Sequence, residues 1–381
     1  MNPVLQLGDI ASVVMGQAPA GKECNKEGNG YPFVKAGEFS ADRPVIREWT
    51  TNPLKKAKDG DVLVCVVGAT AGKVNLGIDC AIGRSVAAVR PLPQRLDTSY
   101  LHHFLKTKTL VLRQGSQGLA QGVITREMLL GIEIPLPPLE EQRRIAAILD
   151  KASTIKQKSA KASALAESLC IARLEQLIAT NETLLVGRRL EDLCILGAPI
   201  TYGILQPGPD MDGGIPYVRP SEIKNSRIDI KSLKRTSPEI AAKYRKSELQ
   251  EGDLLFTIVG TIGEAAVVPA ELEGANITQS SARIRIDTAQ ADPAYVYYSL
   301  KSQHTSRQIS RDRLGVAVER LNLHHVRGME ILCLPMEIQN AYAKEVHCMM
   351  QLTSRHSLTA RHISSLFQSL TSSLLASGER Q

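Results

Sequence analysis

Aromatic residues are scarce in this sequence: they make up 4% of its 381 residues and include one tryptophan, Trp49. Because proteins that stack unpaired bases need many exposed rings, this scarcity argues against a stacking platform for single strands. No stretch approaches 18 apolar residues, so we expect no membrane-spanning helix. Residues 1–17 lack the basic-then-apolar pattern of a signal peptide, which predicts a cytoplasmic protein.

Metal-binding and disulfide patterns are also missing. The seven cysteines are odd in number and include no Cys-x-x-Cys pair, which indicates reduced thiols and no zinc site. The eight histidines contain no His-Glu-x-x-His motif. No Ser-His-Asp order stands out either. We therefore predict no catalytic residue, no metal and no cofactor.

Two motifs look catalytic but are incomplete. Gly68 to Val74 resembles a phosphate loop, yet it has three residues between its glycines where four are required, and Val74 where Ser or Thr is required. A glycine-rich turn between strands is the favoured interpretation, and a P-loop-like NTPase remains the weaker alternative. Asp292 to Tyr295 is similar to a methyltransferase tetrapeptide, but no methyl-donor loop accompanies it. A helix N-cap followed by a buried tyrosine explains it better.

The sequence does contain an internal repeat, with a shift that drifts from 184 to 197 residues. A period this long indicates two whole domains rather than a solenoid of small units. The drift in the shift predicts loops of different length on a shared framework. The matching segments are 32–35 with 216–219, 60–63 with 252–255, 100–106 with 295–301, and 138–142 with 335–339.

Each copy ends in a predicted long amphipathic helix. No proline or glycine occurs between Pro138 and Gly187, and a helix of roughly 40 residues would be about 60 Å long. A helix of that length needs a partner, and the second helix, beginning near Pro335, has a stripe in the same register. We expect the two helices to pair antiparallel within the chain, with the two modules at opposite ends of a rod. The predicted helix-pair and subunit-docking residues are Ile148, Ala152, Ile155, Leu169, Met349, Leu352, Ile363 and Leu366.

These patterns predict an α+β protein with four parts, at residues 1–138, 139–186, 187–334 and 335–381. The net charge of +7 and the pI near 9.0 favour a polyanionic partner. A coiled-coil scaffold without affinity for DNA is an alternative. It would predict featureless end modules, whereas these modules have many polar loop residues.

The segments Gly122 to Leu129 and Ile132 to Ile145 closely resemble the specificity subunit of type I restriction–modification enzymes. The strand and glycine turn at 60–72 and 252–263 also match, as do residues 200–203 with 215–219. The resemblance covers the whole chain in the order domain, helix, domain, helix. It departs from the family at the start of the second helix, where residues 334–339 lack the double proline.

The resemblance implies two target recognition domains joined by two long spacer helices that form an antiparallel coiled coil. It implies a non-catalytic subunit that reads a bipartite, asymmetric target in double-stranded DNA. It also implies partners: two modification (methyltransferase) subunits docked on the helices, and restriction subunits joining that core.

Residues that read DNA should be polar or basic side chains on loops, since base edges and phosphates are recognised by such groups. A solvated loop side chain is the alternative for each of them. The first-module candidates are Gln17, Lys35, Glu38, Arg84, Gln117, Gln121 and Arg126. The second-module candidates are Tyr202, Gln206, Arg219, Glu222, Gln279, Arg313, Arg320 and Asn322.

Overall fold

A computed structural model describes residues 3–116, 123–313 and 319–353 of the chain. The described residues divide into two compact units, with unit 1 reaching Lys158 and unit 2 beginning at Ser159. Each unit contains one copy of the sequence repeat.

Unit 1 is built from short strands, three short helices and the first part of a long helix. Its strands are β1 (Val4–Gln6), β2 (Ala11–Met15), β3 (Cys24–Asn25), β4 (Tyr31–Val34), β5 (Trp49–Thr50), β6 (Lys56–Ala57), β7 (Val62–Cys65), β8 (Val74–Leu76), β9 (Cys80–Ile82), β10 (Val86–Pro91) and β11 (Glu133–Pro135). Its helices are α1 (Thr98–Thr107), α2 (Thr109–Ser116), α3 (Arg126–Leu130) and the start of α4 (Leu139–Thr180).

The central sheet of unit 1 has the order β2-β10-β7-β8 and is buried on both faces. Val62 and Val64 point into one core with α1 and the start of α4, while Leu63 and Cys65 point into another with β4 and β9. This alternation follows from the two-residue period of a strand. All four residues of β7 are therefore apolar.

Unit 2 repeats this design. Its strands are β12 (Val186–Arg189), β13 (Thr201–Tyr202), β14 (Ile215–Val218), β15 (Ile223–Lys224), β16 (Arg227–Ile228), β17 (Lys234–Thr236), β18 (Leu254–Thr257), β19 (Ala265–Val267), β20 (Asn276–Ile277), β21 (Ser281–Ile284) and β22 (Glu330–Cys333). Its helices are α5 (Pro238–Lys243), α6 (Pro293–Leu300), α7 (Gln303–Asp312), α8 (Leu323–Arg327) and α9, described over residues 336–353. The central sheet has the order β13-β21-β18-β19, equivalent to that of unit 1.

The repeated Gly-Asp motif is a structural element of both central sheets. Asp61 is buried and accepts two hydrogen bonds from Arg90, both of 2.8 Å. Asp253 and Arg285 form the same bidentate pair, with both contacts at 2.7 Å. Because a buried carboxylate is costly without a partner, the motif and its arginine occur together in each copy.

The predicted N-caps are confirmed. Asp97 accepts a hydrogen bond from the backbone of Tyr100 at 3.0 Å, and Asp292 does the same for Tyr295 at 3.1 Å. Both tyrosines are buried. The cap thus begins α1 and α6, and nothing in it requires methyl-transfer chemistry.

Helices α4 and α9 pack antiparallel in unit 2. Arg173 forms an ion pair with Glu345 at 2.9 Å, and Cys170, one turn earlier, contacts Met349, one turn later, at 3.6 Å. The hydroxyl of Tyr342 donates to the carbonyl of Cys170 at 2.9 Å. From Arg173 to Cys170 on α4, the partner on α9 moves from Glu345 to Met349, so the two helices run in opposite directions. This confirms the predicted α+β fold with an antiparallel helix pair.

The face that α4 buries differs from the predicted stripe. Its buried residues are Ile145, Ala146, Leu149 and Ala152 in unit 1 and Ala166, Cys170 and Leu174 in unit 2. In each unit the helix packs on the core of that unit, and its buried positions lie three or four residues apart along one face.

Four of the predicted helix-pair and subunit-docking positions are exposed. Ile148 is 42% exposed, Ile155 38%, Leu169 50% and Leu352 58%. Ala152 is buried in unit 1, and Met349 is half-buried against the core of unit 2. Ile363 and Leu366 lie outside the described residues.

Candidate nucleic-acid interface

The candidate residues of unit 2 gather at one end of its sheets. Strands β14 and β20 run parallel, so their C-terminal ends meet at one edge. Arg219 follows β14, and Gln279 comes two residues after β20. Tyr202 closes β13, and the backbone N–H of Gln279 donates to the carbonyl of Ile204 at 3.0 Å, two residues before Gln206. We call Tyr202, Gln206, Arg219 and Gln279 the polar edge of unit 2.

Unit 1 has the same arrangement. Strands β4 and β9 are parallel, with Lys35 directly after β4 and Arg84 two residues after β9. The backbone N–H of Gln17 donates to the carbonyl of Ile82 at 3.0 Å. We call Gln17, Lys35 and Arg84 the polar edge of unit 1.

A glycine at the equivalent place allows the backbones to approach closely at both edges. A Cβ on Gly16 would lie 2.2 Å from the carbonyl oxygen of Gly83, and one on Gly203 would lie 1.9 Å from that of Ile277. A side chain at Gly16 or Gly203 would therefore push that segment away from Gly83 or Ile277, respectively.

Arg84 and Gln279 occupy equivalent positions in the two edges. Each comes two residues after the strand that runs parallel to β4 or β14, and each is exposed. Arg84 has no ion-pair partner among the described residues. A guanidinium and a carboxamide recognise different base edges, so equivalent backbone positions present different chemistry.

Glu38 and Glu222, also predicted as DNA contacts, are buried and have intramolecular partners. The carboxylate of Glu38 accepts the backbone N–H of Lys35 at 2.9 Å, and that of Glu222 accepts the N–H of Arg219 at 2.8 Å. Each caps the short 3-10 helix it closes, Ala36–Glu38 or Pro220–Glu222. Both carboxylates therefore shape the turn at the edge, and their contact with DNA stays a prediction.

The two cations at these caps are paired within the protein. Arg219 contacts both carboxylate oxygens of Glu222, at 2.7 and 3.1 Å. Burial raises the pKa of Glu222, but the hydrogen bonds from Arg219 and Ser221 outweigh it and lower this pKa below its usual value. Lys35 pairs with Glu48. Both cations are half-buried, so a phosphate would compete with a carboxylate for them.

The remaining basic candidates lie where the chain returns to the central sheet. The backbone of Arg320 bridges Val259 just beyond β18, and Arg313 pairs with Glu319 at 2.8 Å. Arg126 begins α3 in unit 1. All three arginines are exposed.

Three polar candidates remain. Asn322 is the N-cap residue of α8, and its side chain makes no capping hydrogen bond. Gln117 and Gln121 lie outside the described residues.

The glycine-rich segment at 68–73 is a turn between β7 and β8. Gly68 and Gly72 have φ angles of 81° and 83°, in the left-handed region expected of such a turn. The ammonium of Lys73 donates to the carbonyl of Phe39 at 2.9 Å. The favoured interpretation of this motif is confirmed.

Among residues 3–116, 123–313 and 319–353, no group of three His, Cys, Asp or Glu side chains could hold a metal ion. No helix in the described part of the chain is long and apolar enough to cross a membrane.

Several residues that organise the two units were missed in the sequence. Gln142 and Gln339, near the starts of α4 and α9, accept the backbone N–H groups of Asp97 and Asp292, each at 2.9 Å. Ser85 accepts the N–H of Ala36 at 3.1 Å, which holds the turns of Lys35 and Arg84 together. Both glutamines fall inside the repeated segments, so the repeat alone could have indicated a shared role.

Residues 3–164 match the family model of the type I restriction modification DNA specificity domain. The chain is 21% identical to the type I restriction enzyme EcoBI specificity subunit of Escherichia coli over 409 aligned positions, which cover 99% of this chain and 85% of that protein. A putative type I restriction enzyme MjaX specificity subunit of Methanocaldococcus jannaschii is 35% identical over 147 residues, 38% of this chain and 34% of that protein.

A solved structure shares the fold. The type I restriction–modification S subunit from M. genitalium superposes with a TM-score of 0.56 at 15% identity, covering 98% of this chain and 95% of that one.

Proposed function

Because the chain belongs to the family of type I restriction–modification specificity subunits, we propose that it reads a bipartite, asymmetric DNA target, one half with each polar edge. Members of this family are non-catalytic and recognise DNA sequence. We further propose that it acts in the cytoplasm and assembles there with two modification subunits and with restriction subunits.

The observation that carries the proposal is the pairing of equivalent positions with different side chains. Arg84 in unit 1 suits a bidentate contact to guanine, and Gln279 in unit 2 suits adenine. The position of Gln17 in unit 1 is occupied by Ile204 in unit 2. Two edges with the same framework but different side chains would read two different half-sites, which gives an asymmetric target.

The other exposed cations suit the phosphate backbone. Arg126, Arg313 and Arg320 project from segments beside the edges, where they would fix the register of the duplex without reading it. Each such contact would steepen the salt dependence of binding by about one unit in the log–log slope.

The exposed apolar residues of α4 suit subunit docking. Leu165 and Leu169 in unit 2 are 59% and 50% exposed, and they are separated by one helical turn. Ile148 and Ile155 in unit 1 are also exposed and lie two helical turns apart on α4. We propose that modification subunits cover these residues in the complex.

The test replaces one edge residue at a time in cells that supply the modification subunits. Arg84→Ala should relax one half of the methylated target, and Gln279→Ala the other, each losing about 1–3 kcal/mol of discrimination. Lys243→Ala, an exposed lysine at the end of α5, is the matched control. If both edge variants weakened methylation equally at every site, these residues would be phosphate contacts and the assignment would fail.

A further inference from the structure

A lysine occupies the same place in each copy of the repeat, at the end of the helix that covers the central sheet. Lys106 lies in the last turn of α1, and Lys301 directly follows α6. Segments 100–106 and 295–301 are already aligned by the sequence repeat.

In unit 2, Lys301 joins a loop to the long helix. Its ammonium contacts the carboxylate of Glu167 on α4 and the hydroxyl of Ser226, and Ser226 also donates to Glu167. The hydroxyl of Tyr297 lies 3.4 Å from the same carboxylate. The side chains of Lys301 and Glu167 are 14% and 20% exposed, so the loss of either would leave a poorly hydrated charge.

In unit 1, different side chains make the same junction. Lys106 contacts the carboxylate of Asp42 at 2.6 Å, and Gln157 on α4 donates to that carboxylate. The loop supplies the carboxylate here, whereas α4 supplies it in unit 2. The arrangement of lysine, loop and long helix therefore recurs. The lysine is kept, whereas the loop supplies Asp42 or Ser226 and α4 supplies Gln157 or Glu167.

In each unit the loop that meets the lysine is closed by a backbone hydrogen bond and begins three residues after Lys35 or Arg219. The backbone N–H of Val45 donates to the carbonyl of Glu38 at 2.8 Å, and Asp229 donates to Glu222 at 2.9 Å. We call residues 38–45 and 222–229 the tether loops. Their stems carry the carboxylates that cap Lys35 and Arg219, and Asp42 and Ser226 lie at their tips.

The tip in unit 2 has an unfavourable backbone. Asn225 and Ser226 have φ angles of 49° and 65°, and they are the non-glycine residues with a left-handed backbone in the described part of the chain. Such a conformation is unfavourable for a residue with a side chain and persists where the surrounding structure holds it. Asn225 and Ser226 form the two-residue turn between β15 and β16, which favours this conformation, and the contacts from Lys301 and Glu167 hold Ser226 in it.

We propose that Lys106 and Lys301 are positioning residues that fix each tether loop to α4, so that the unread gap between the two half-sites keeps one length. Each lysine acts through the loop, whose stem shapes the polar edge. The inference rests on the proposed function, because a gap exists only if the target is bipartite.

The test compares Lys301→Met with the wild-type chain in cells that express the modification subunits, by mapping methylated adenines. We expect Lys301→Met to keep both half-sites but to methylate targets whose gap is one base pair longer or shorter. Discrimination against those gaps should fall about tenfold, the factor equivalent to about 1.4 kcal/mol. Lys243→Met is the matched control and should keep a single gap.

Other results separate the possible failures. If the wild-type chain directs no bipartite methylation, the proposed function fails. If Lys301→Met remains folded and methylates only targets with the original gap, the positioning role is refuted, since simple destabilisation would lower methylation at every site without admitting new gaps.

If Lys301→Met does not fold, two other variants test the inference: Ser226→Ala, and the charge exchange Glu167→Lys with Lys301→Glu. Ser226→Ala should broaden the gap and the exchange should narrow it again; a single gap in Ser226→Ala would overturn the inference.

Discussion

Substitution of Leu174 on α4 should destabilise the protein strongly, whereas substitution of Leu169, five residues earlier, should have almost no effect on stability. Leu174 has no exposed surface and belongs to the same buried cluster as Tyr342 and Val346 of α9, whereas Leu169 is half exposed. Leu174→Ala removes three buried carbon atoms and should destabilise unit 2 by about 2–5 kcal/mol. Leu169→Ala should change stability by no more than about 0.5 kcal/mol.

Urea unfolding of the full chain measures this difference. All tyrosines except Tyr31 and Tyr100 lie in unit 2, so the near-ultraviolet tyrosine signal reports mainly that unit, while Trp49 reports unit 1. With a slope of about 2 kcal/mol per molar urea, a loss of about 3 kcal/mol lowers the tyrosine midpoint by about 1.5 M. Leu169→Ala should leave the midpoint unchanged.

Assembly provides the complementary measurement. Leu169→Asp should keep the unfolding midpoint but lose copurification with the modification subunits, because the charge falls on the proposed docking surface. Equal destabilisation by Leu169→Ala and Leu174→Ala would refute the packing described for α4. A fully assembled Leu169→Asp complex would refute the docking role.

Three further predictions concern stability and spacing. His102 is 1% exposed, and burial lowers its pKa from 6.5 to about 3, so the unfolded state binds more protons between these two pH values. The free energy of unfolding should therefore fall as the pH drops below 6.5, by about 2 kcal/mol at pH 5. In His102→Phe, the slope of the unfolding free energy with pH should be smaller by the equivalent of about one proton. Arg285→Met should cost about 3–5 kcal/mol in urea unfolding because it strands the carboxylate of Asp253, and Arg285→Met with Asp253→Asn should recover part of that loss. Four residues inserted near Ser159 lengthen α4 by roughly 6 Å, so if α4 spaces the readers, the methylated gap should grow by up to about two base pairs of 3.4 Å each; an active variant with the original gap would contradict this.

The sequence predicted the features that recur in both copies. The caps at Asp97 and Asp292, the glycine turn at 68–73 and the long helix all depend on local signals: a capping side chain, a positive φ, and the absence of proline and glycine. The polar edges were predicted in part, because Gln17, Arg84, Gln206 and Gln279 lie on loops next to short strands.

Other features depend on tertiary packing and could not be read locally. Leu169 is as apolar as Leu174, and only the position of the core decides which of them packs. Glu38 and Glu222 look like exposed loop acids until the 3-10 helices that they cap are seen. The contacts of Lys301 join residues 75 and 134 positions apart in the chain, beyond any local pattern.

The central claim is that each unit reads one half of a split target. Genome-wide mapping of methylated adenines, in a host that expresses the modification subunits with and without this chain, tests it most directly. We expect methylation that depends on the chain and falls in one asymmetric motif, with two specified halves separated by unspecified bases. A contiguous or palindromic motif, or methylation that does not depend on the chain, would contradict the claim.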